Sequence, residues 1–287
     1  MSSLTASYVL TISCADRVGI VAAVSGFLAA KQCFIEESSH FGDATTDFFF
    51  MRTRFSAPDD HDHLIFQQDF ASMATGFKLN YRLYPVNMRP KVLVMCSKQD
   101  HCIRDLLYKA QSNSINMDIV AVVSNHTALA DVCSWYDVPF HHVAVTKGAK
   151  HVAERQLQDI YQKSGSELIV LARYMQILSP EFCDALPGQV INIHHSFLPS
   201  FKGAKPYHKA HAHGVKLIGA TAHYVTADLD EGPIIEQDVV RVNHACSVAD
   251  MIALGKDVEA KTLSKAVQYH LQRRVFVDQG KTVVFRD

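Results

Sequence analysis

The stretch Val190-Ile191-Asn192-Ile193-His194 decides the fold of the larger part of this chain. It is the last of four short, mostly apolar runs, the others being Val92-Leu93-Val94-Met95, Ile119-Val120-Ala121-Val122-Val123 and Leu168-Ile169-Val170-Leu171. Three of the four are almost continuously apolar, which is typical of parallel strands that are buried on both faces of a sheet. Helical patterns alternate with these runs, at 103–111, 152–163 and 179–186. The order predicts an α/β, doubly wound, mostly parallel sheet.

The rest of the chain after this stretch continues the same unit. Further strands are predicted at 218–225 and 234–242, and a long helix at about 248–274 follows them. A short hairpin around Gly280 closes the sequence. We therefore assign residues 91–287 to one domain.

The first 84 residues follow a different pattern. Two predicted helices lie among four predicted strands at 8–12, 33–41, 47–55 and 78–83. The resulting order βαββαβ is that of a ferredoxin-like split βαβ unit. Pro85 and Pro90 bracket a credible linker. The predicted organisation is thus a domain at 1–84, a linker at 85–90 and a domain at 91–287.

Composition and charge exclude several classes of protein. Of the 287 residues 48% are hydrophobic and 20% charged, the formal net charge is -1, and no basic run is present. We therefore expect a soluble protein without a nucleic-acid partner. Its apolar runs stay far below the ~20 residues that span a bilayer, so we expect no membrane segment. The seven cysteines include no C-x-x-C pair, and no signal peptide precedes them, which predicts reduced thiols and a cytoplasmic location.

Asn192 and His194 end the last core strand. Side chains two residues apart in a strand project to the same face, and open α/β sheets bind ligands at the carboxyl ends of their strands. An amide and an imidazole can both donate to a carbonyl oxygen that gains charge, so the pair predicts an oxyanion site. The alternative is two polar residues that cap a strand end, and the spacing alone does not separate the two.

A second polar cluster follows the next predicted strand. His223 lies within 218–225, and Asp230 follows in Leu229-Asp230-Glu231-Gly232-Pro233. The loop before the Gly-Pro turn could carry Asp230 over the same edge of the sheet. The alternative is an ordinary turn aspartate that hydrogen-bonds its own backbone.

These segments resemble the signature of the folate-dependent formyltransferase family. The stretches that carry the resemblance are Asn192-Ile193-His194-His195-Ser196-Phe197-Leu198-Pro199, Gly203, Gly219-Ala220-Thr221-Ala222-His223-Tyr224-Val225 and Leu229-Asp230-Glu231-Gly232-Pro233-Ile234-Ile235. Asp16-Arg17-Val18-Gly19-Ile20, at the first strand–helix turn, resembles an ACT domain. Together the two parts are similar to the formyltetrahydrofolate deformylase family over nearly the whole chain. The resemblance implies an ACT-like domain followed by a Rossmann-like formyltransferase domain.

The activity that this resemblance implies is the hydrolysis of 10-formyltetrahydrofolate to formate and tetrahydrofolate, without a cofactor, in one-carbon metabolism and purine biosynthesis. It maps the catalytic residues onto Asn192, His194 and Asp230, with His223 supporting Asp230. Asp230 would orient and deprotonate a water molecule, while Asn192 and protonated His194 would bind the oxyanion. A nearby carboxylate stabilises an imidazolium, so Asp230 would help to keep His194 charged.

The stretch 171–180 resembles the segment that holds the pterin in this family. Backbone groups near Ile177 and Leu178, with the loop that begins at Thr226, would read the pterin edge. Without the resemblance, a strand–helix connection with core-facing Ile177 and Leu178 explains the same residues.

Two other functions stay open, namely a formyltransferase that passes the formyl group to an amine and a non-catalytic folate or amino-acid sensor. The turn Ser97-Lys98-Gln99-Asp100-His101-Cys102 contains no glycine. In the glycinamide ribonucleotide branch a glycine-rich turn at this point cradles the phosphate of the acceptor through its N–H groups. The departure favours water as the acceptor, and the intact set Asn192, His194 and Asp230 speaks against a sensor.

Metal binding and thiol catalysis are both disfavoured by the sequence. The neighbouring histidines His208, His211 and His213 lack a carboxylate or cysteine that would complete a ligand set, so we expect no metal. Cys102, beside His101, is interpreted as a buried thiol.

The N-terminal resemblance implies an amino-acid effector at Asp16, Arg17 and Gly19, where N–H groups at a helix start favour a carboxylate. The alternative is that Asp16 caps the first helix. We also predict a homo-oligomer whose association depends at least partly on residues 1–84, because one face of the sheet needs cover. The apolar strand residues that suggest this are Val9, Phe48, Phe50 and Tyr81. The alternative is that helices of the same unit supply this cover.

Overall fold

The computed structural model describes residues 4–58, 63–146, 148–198 and 206–286. The chain divides into two compact units, the first formed by Met1–Arg89, Arg273–Phe276 and Val283–Asp287 and the second by Pro90–Gln272 and Val277–Thr282. None of the helices in the described ranges is long and apolar enough to cross a membrane.

The first unit contains the predicted βαββαβ order. Its elements are β1 (Leu4–Ala15), α1 (Ile20–Ala30), β2 (Phe34–Asp43), β3 (Phe48–Pro58), α2 (His63–Phe77) and β4 (Asn80–Pro85). The strands pair in the order β2-β3-β1-β4, and all three pairings are antiparallel. Ile20, Val24 and Leu28 of α1 are buried, as their spacing on one helix face predicts. The ferredoxin-like prediction is confirmed.

The C-terminal end of the chain departs from the predicted domain division. Two segments that we predicted to belong to the second domain group with the first unit instead. Within that unit the ring of Phe276 lies 5.6 Å from the ring of Phe50. Arg274 donates to Glu37 at 2.9 Å. The chain's own C-terminal segment therefore covers Phe50, one of the residues for which cover from another copy was predicted.

The second unit is a seven-stranded sheet with helices on both faces. Its strands are β5 (Lys91–Cys96), β6 (Asp118–Ser124), β7 (Phe140–His142), β8 (Leu168–Ala172), β9 (Val190–His194), β10 (Leu217–Tyr224) and β11 (Ile234–Arg241). They lie in the order β11-β10-β9-β8-β5-β6-β7. All pairings among β9, β8, β5, β6 and β7 are parallel, and β10 and β11 join as antiparallel strands. The mostly parallel, doubly wound sheet is confirmed.

The helices of this unit are α3 (His101–Gln111), α4 (Ala130–Trp135), α5 (Lys150–Ser164), α6 (Pro180–Asp184), α7 (Pro206–Ala212) and α8 (Val248–Leu271), and the hairpin strands β12 (Val275–Asp278) and β13 (Lys281–Val284) follow. The prediction missed α4, α7 and β7, which are only six, seven and three residues long. The strand order reverses beside β5, whose neighbours are β6 on one side and β8 on the other. Such a switch point opens a crevice at the carboxyl ends of the strands.

Candidate active site

A cleft of about 310 Å³ lies in the second unit and is lined by three stretches of chain. The first follows β8, the second is the end of β9, and the third is the end of β10 with the loop after it. All seven residues that we predicted for catalysis and folate binding line it, namely Asn192, His194, His223, Asp230, Ile177, Leu178 and Thr226. Pro199 and Gly203 of the sequence signature lie outside the described residues.

Asn192 and His223 face each other across the antiparallel pair β9–β10. The imidazole of His223 is buried, and its Nδ1–H donates to the backbone oxygen of Tyr224 at 2.9 Å. A carbonyl oxygen can only accept, so in the neutral ring the free lone pair is on Nε2. The Nδ2 amide of Asn192 donates to this Nε2 at 3.3 Å. The cross-strand pair thus fixes the rotation of the Asn192 amide.

Asp230 reaches both histidines from the loop after β10. Its Oδ2 lies 3.2 Å from Nδ1 of His194, and its Oδ1 lies 3.7 Å from Nε2 of His223. The hydrogen bond from His194 holds the pKa of the Asp230 carboxyl well below its usual range. Because the ionised carboxylate only accepts, Nδ1 of His194 carries the proton of this bond.

The backbone at Asp230 adopts the left-handed conformation, with φ 58°. Aspartate tolerates this region better than most residues, and such backbone is common at functional sites. The next glycine, Gly232, lets the loop close tightly, since a Cβ there would lie 1.8 Å from the backbone oxygen of Tyr224. Asp230 does lie in a turn, as the alternative states, but this turn also places its carboxylate against His194.

Sequence reasoning assigned no function to three residues of this region, namely Arg173, His195 and Glu259. Arg173, directly after β8, donates through Nη1 to Nδ1 of His195 at 2.7 Å. Its Nε lies 3.3 Å from Oε2 of the buried Glu259 and donates to Gln99 at 3.1 Å. The glycine-free turn after β5 thus contributes a side chain to this group. A charged residue directly after a fully apolar strand was the signal that could have revealed Arg173.

The proposed pterin-binding residues differ in exposure. Leu178 is buried and packs in the core beneath the sheet, whereas Ile177 is 61% exposed at the cleft. Thr226 is exposed, and its hydroxyl donates to the backbone oxygen of Asp228. The core-facing alternative is therefore correct for the side chain of Leu178 and wrong for that of Ile177.

The predicted effector residues lie in the first unit. Arg17 donates to the backbone oxygen of Gly76 at 3.0 Å, and its guanidinium lies 4.3 Å from the ring centre of Phe77. The N-cap of α1 is Gly19, with φ 99° and no side-chain hydrogen bond to the helix start. The alternative in which Asp16 caps this helix is therefore wrong.

Metal-ligating atoms come together in one group within the described ranges, formed by His101, Cys102 and Glu259. His208, His211 and His213 are not part of it. The Glu259 carboxylate in this group already accepts from His101 at 2.9 Å and from the Tyr207 hydroxyl at 2.8 Å. Cys102 is 1% exposed, and burial raises the pKa of its thiol well above the ordinary value, as expected of a buried thiol.

Comparison with known proteins agrees with this architecture. Residues 90–267 match the Formyl transferase family. A formyltetrahydrofolate deformylase of Corynebacterium sp. (strain P-1) is 46% identical over 282 residues, which cover 97% of this chain and 98% of that protein.

Solved structures are similar to this chain as well. The crystal structure of a formyltetrahydrofolate deformylase from Pseudomonas syringae pv. tomato is 45% identical, with a TM-score of 0.94, and the match covers 98% of this chain and 95% of that one. A phosphoribosylglycinamide formyltransferase from Anaplasma phagocytophilum is 27% identical, with a TM-score of 0.64, and the match covers 70% of this chain and 95% of that one. On the identity and the full-length coverage, the chain belongs to the formyltetrahydrofolate deformylase family.

Proposed function

We propose that this chain hydrolyses 10-formyltetrahydrofolate to formate and tetrahydrofolate. The observation that carries the proposal is the contact of 3.2 Å between His194 and Asp230 in one cleft with Asn192. The names of the full-length relatives support the same reaction.

The reaction needs an activated water, a site for the oxyanion and a proton for the leaving nitrogen. In our proposal the water oxygen attacks the formyl carbon, and Asp230 orients the water and accepts its proton. The carbonyl electrons move to the formyl oxygen, where the Asn192 amide and the His194 imidazolium stabilise the negative charge. As the tetrahedral intermediate collapses, the C–N10 bond breaks and N10 takes up the proton that Asp230 accepted from the water, which restores the carboxylate. Formic acid leaves and loses its proton to become formate.

The electrostatics of Asp230 bear on its part in this sequence. Because the hydrogen bond from His194 holds the pKa of Asp230 low, the carboxylate is ionised at neutral pH but is a weak base. As negative charge develops on the formyl oxygen, it interacts with the His194 imidazolium. The imidazolium then stabilises the Asp230 carboxylate less, so Asp230 accepts the proton of the water more readily.

Transfer of the formyl group to an amine is the second candidate function. Against it, the match to the formyltransferase structure covers 70% of this chain, whereas the deformylase matches span almost all of it. The glycine-free turn after β5 also places the Gln99 side chain against Arg173. A backbone cradle for an acceptor's phosphate is disfavoured by such a turn.

Formate release from 10-formyltetrahydrofolate, measured with and without candidate amines, tests the proposal. We expect formate and tetrahydrofolate in equal amounts, at a rate that the amines do not change. A formylated amine in place of formate would support the transferase. Substrate binding without turnover would support the sensor function.

For substrate binding we propose that the pterin lies against the stretch 171–178 and the loop after β10. The support is that Ile177, Leu178 and Thr226 line the cleft that also holds Asp230. The exposed side chain of Ile177 offers an apolar surface to an aromatic ring. The proposed reaction needs no further cofactor, because the folate itself carries the formyl group.

For the first unit we propose an ACT-like regulatory function, with a small amino acid bound near Asp16, Arg17 and Gly19. The left-handed backbone of Gly19 at the start of α1, where the N–H groups are free of a side-chain cap, supports a carboxylate there. Titration of glycine, methionine and other amino acids against formate release tests this, with Gly19→Val as the matched variant. No change in rate or affinity with any of them would leave the unit a structural adaptor.

The same unit is also proposed to mediate homo-oligomerisation. β2 is an edge strand, and its Phe34 and Phe41 are 61% and 45% exposed. Unpaired edge strands with exposed apolar side chains favour pairing with another chain. Light scattering of the wild type and of Phe41→Glu tests this, and a monomeric wild type would contradict it.

A further inference from the structure

His195 lines the cleft beside His194 and has no part in the reaction as proposed above. Neighbouring side chains of a strand point to opposite faces, but β9 ends at His194, so His195 is free to turn to the same side. The two imidazole rings stack with their centres 4.9 Å apart and their planes at 16°. The cleft therefore contains two imidazoles in van der Waals contact.

Arg173 determines which nitrogen of His195 carries the proton. A guanidinium donates and never accepts, so Nδ1 of His195, 2.7 Å from Nη1 of Arg173, must present its lone pair. The remaining proton of a neutral imidazole is then on Nε2. Burial and the nearby charges of Arg173 and His194 lower the pKa of His195 to about 4, which agrees with a neutral ring at physiological pH.

Glu259 holds Arg173 in this place. It is 2% exposed on α8, and its two oxygens contact Arg173, His101 and Tyr207. Burial opposes its ionisation, but the hydrogen bond from His101 and the charge of Arg173 hold the pKa of the carboxyl below its ordinary value. Gly255, one turn earlier, leaves the space for Tyr207, since a Cβ there would lie 2.0 Å from the hydroxyl.

The Glu259–Arg173 pair is built at a cost. Arg173 is buried and has a left-handed backbone with φ 64°, a conformation that is unfavourable in a residue other than glycine. Arg173 in turn gives His195 a fixed hydrogen bond, and the Glu259 carboxylate balances part of the guanidinium charge.

Two buried nitrogens of these rings have no partner among the described residues, Nε2 of His194 and Nε2 of His195. A buried donor without an acceptor destabilises the folded protein, so proteins seldom retain one without use. In His195 that nitrogen is the protonated one. The network therefore ends in an N–H group that is withdrawn from solvent and has no acceptor in the described parts of the chain.

We propose that His195 is a further hydrogen-bond donor of this active site, which offers Nε2–H to the formyl oxygen as that oxygen gains charge. Arg173 and Glu259 are the positioning residues that fix its tautomer. The proposal rests on the proposed hydrolysis of 10-formyltetrahydrofolate. The charged or titratable groups that face His195 are Arg173, His194, Glu259 and Asp230, and they act on it as described above.

Two substitutions at His195 separate its two nitrogens. In His195→Gln the side-chain amide reaches the position of Nε2, whereas in His195→Asn it reaches only that of Nδ1 and loses the donor. We expect kcat for formate release to fall on the order of 10²-fold in His195→Asn with a much smaller change in KM, as for the loss of an oxyanion donor. In His195→Gln we expect a loss of less than about tenfold.

A loss in His195→Gln as large as that in His195→Asn would overturn the donor function, and so would a defect confined to KM. Circular dichroism and thermal unfolding of both variants establish that each is folded. The rate of the wild type separates the proposed hydrolysis from the donor function of His195. If the wild type releases no formate, the proposed hydrolysis itself is wrong.

The tautomer of His195 is tested without turnover by nuclear magnetic resonance of the full chain labelled with ¹⁵N-histidine. The His195 signal is assigned as the one that is absent in His195→Gln. We expect a neutral ring protonated on Nε2 from pH 8 to pH 5. In Arg173→Met, which keeps the length of the side chain but removes the donors, we expect titration at a higher pH than in the wild type. A wild-type ring protonated on Nδ1, or one that titrates near its ordinary pKa of about 6.5, would overturn the proposal.

Discussion

Asp230→Asn is the substitution that tests the candidate active site most directly. Asparagine keeps the size of the side chain and, like aspartate, tolerates the left-handed backbone at this position, where φ is 58°. It removes the negative charge that accepts from His194 at 3.2 Å. The loop geometry is therefore retained while the electrostatics change.

The size of the effect distinguishes two functions of Asp230. A hydrogen bond to a charged group contributes about 1.5–3 kcal/mol, so the loss of the contact with His194 alone would lower kcat roughly 10- to 150-fold. If Asp230 also takes the proton of the water, the loss of a general base adds a factor of about 10²–10⁴. We expect the combined effect, a decrease in kcat on the order of 10³-fold or more.

The assay is formate release at saturating 10-formyltetrahydrofolate, together with the affinity for a non-hydrolysable folate. Glu231→Gln, a change of charge at the exposed neighbouring residue, is the matched control, and we expect its rate to stay within about twofold of the wild type. A decrease of only 10- to 150-fold in Asp230→Asn would restrict Asp230 to orienting His194. A rate within tenfold of the wild type would refute both functions.

Three further predictions concern the same site. Asn192→Ala removes the amide that donates to His223, and kcat should fall on the order of 10²–10³-fold while KM changes little; steady-state kinetics with an unchanged kcat would contradict this. Gly232→Ala should displace the Asp230 loop, since the added Cβ would lie 1.8 Å from the Tyr224 backbone oxygen, and a crystal structure with an unmoved loop would disprove it. The pKa of His195 is about 4 in the folded state, below its value of about 6.5 in the unfolded state. The unfolded state therefore binds the proton first as the pH falls, so the contribution of His195 to stability is present above pH 6.5 and is lost towards pH 4. Urea unfolding should show this decline in the wild type and a weaker one in His195→Gln, and equal slopes would refute it.

The sequence by itself determined the two folds and the centre of the site, but not which unit the C-terminal segments join. Strands that are buried on both faces must be apolar along their whole length, so the runs that form β5, β6 and β8 are recognisable without any knowledge of their neighbours. The alternation of side chains along β9 places Asn192 and His194 on one face by local geometry alone. The folate-dependent activity followed from the resemblance of this strand and the two segments after it.

Only the tertiary structure decided how distant residues meet. The contact between Asp230 and His194 depends on the closure of a loop whose backbone no local period describes. The group formed by His195, Arg173 and Glu259 joins the ends of β9 and β8 to the middle of α8. A side chain at the end of a strand is oriented by its hydrogen-bond partners, and those partners are brought to it by packing of the whole sheet, which a sequence pattern does not encode.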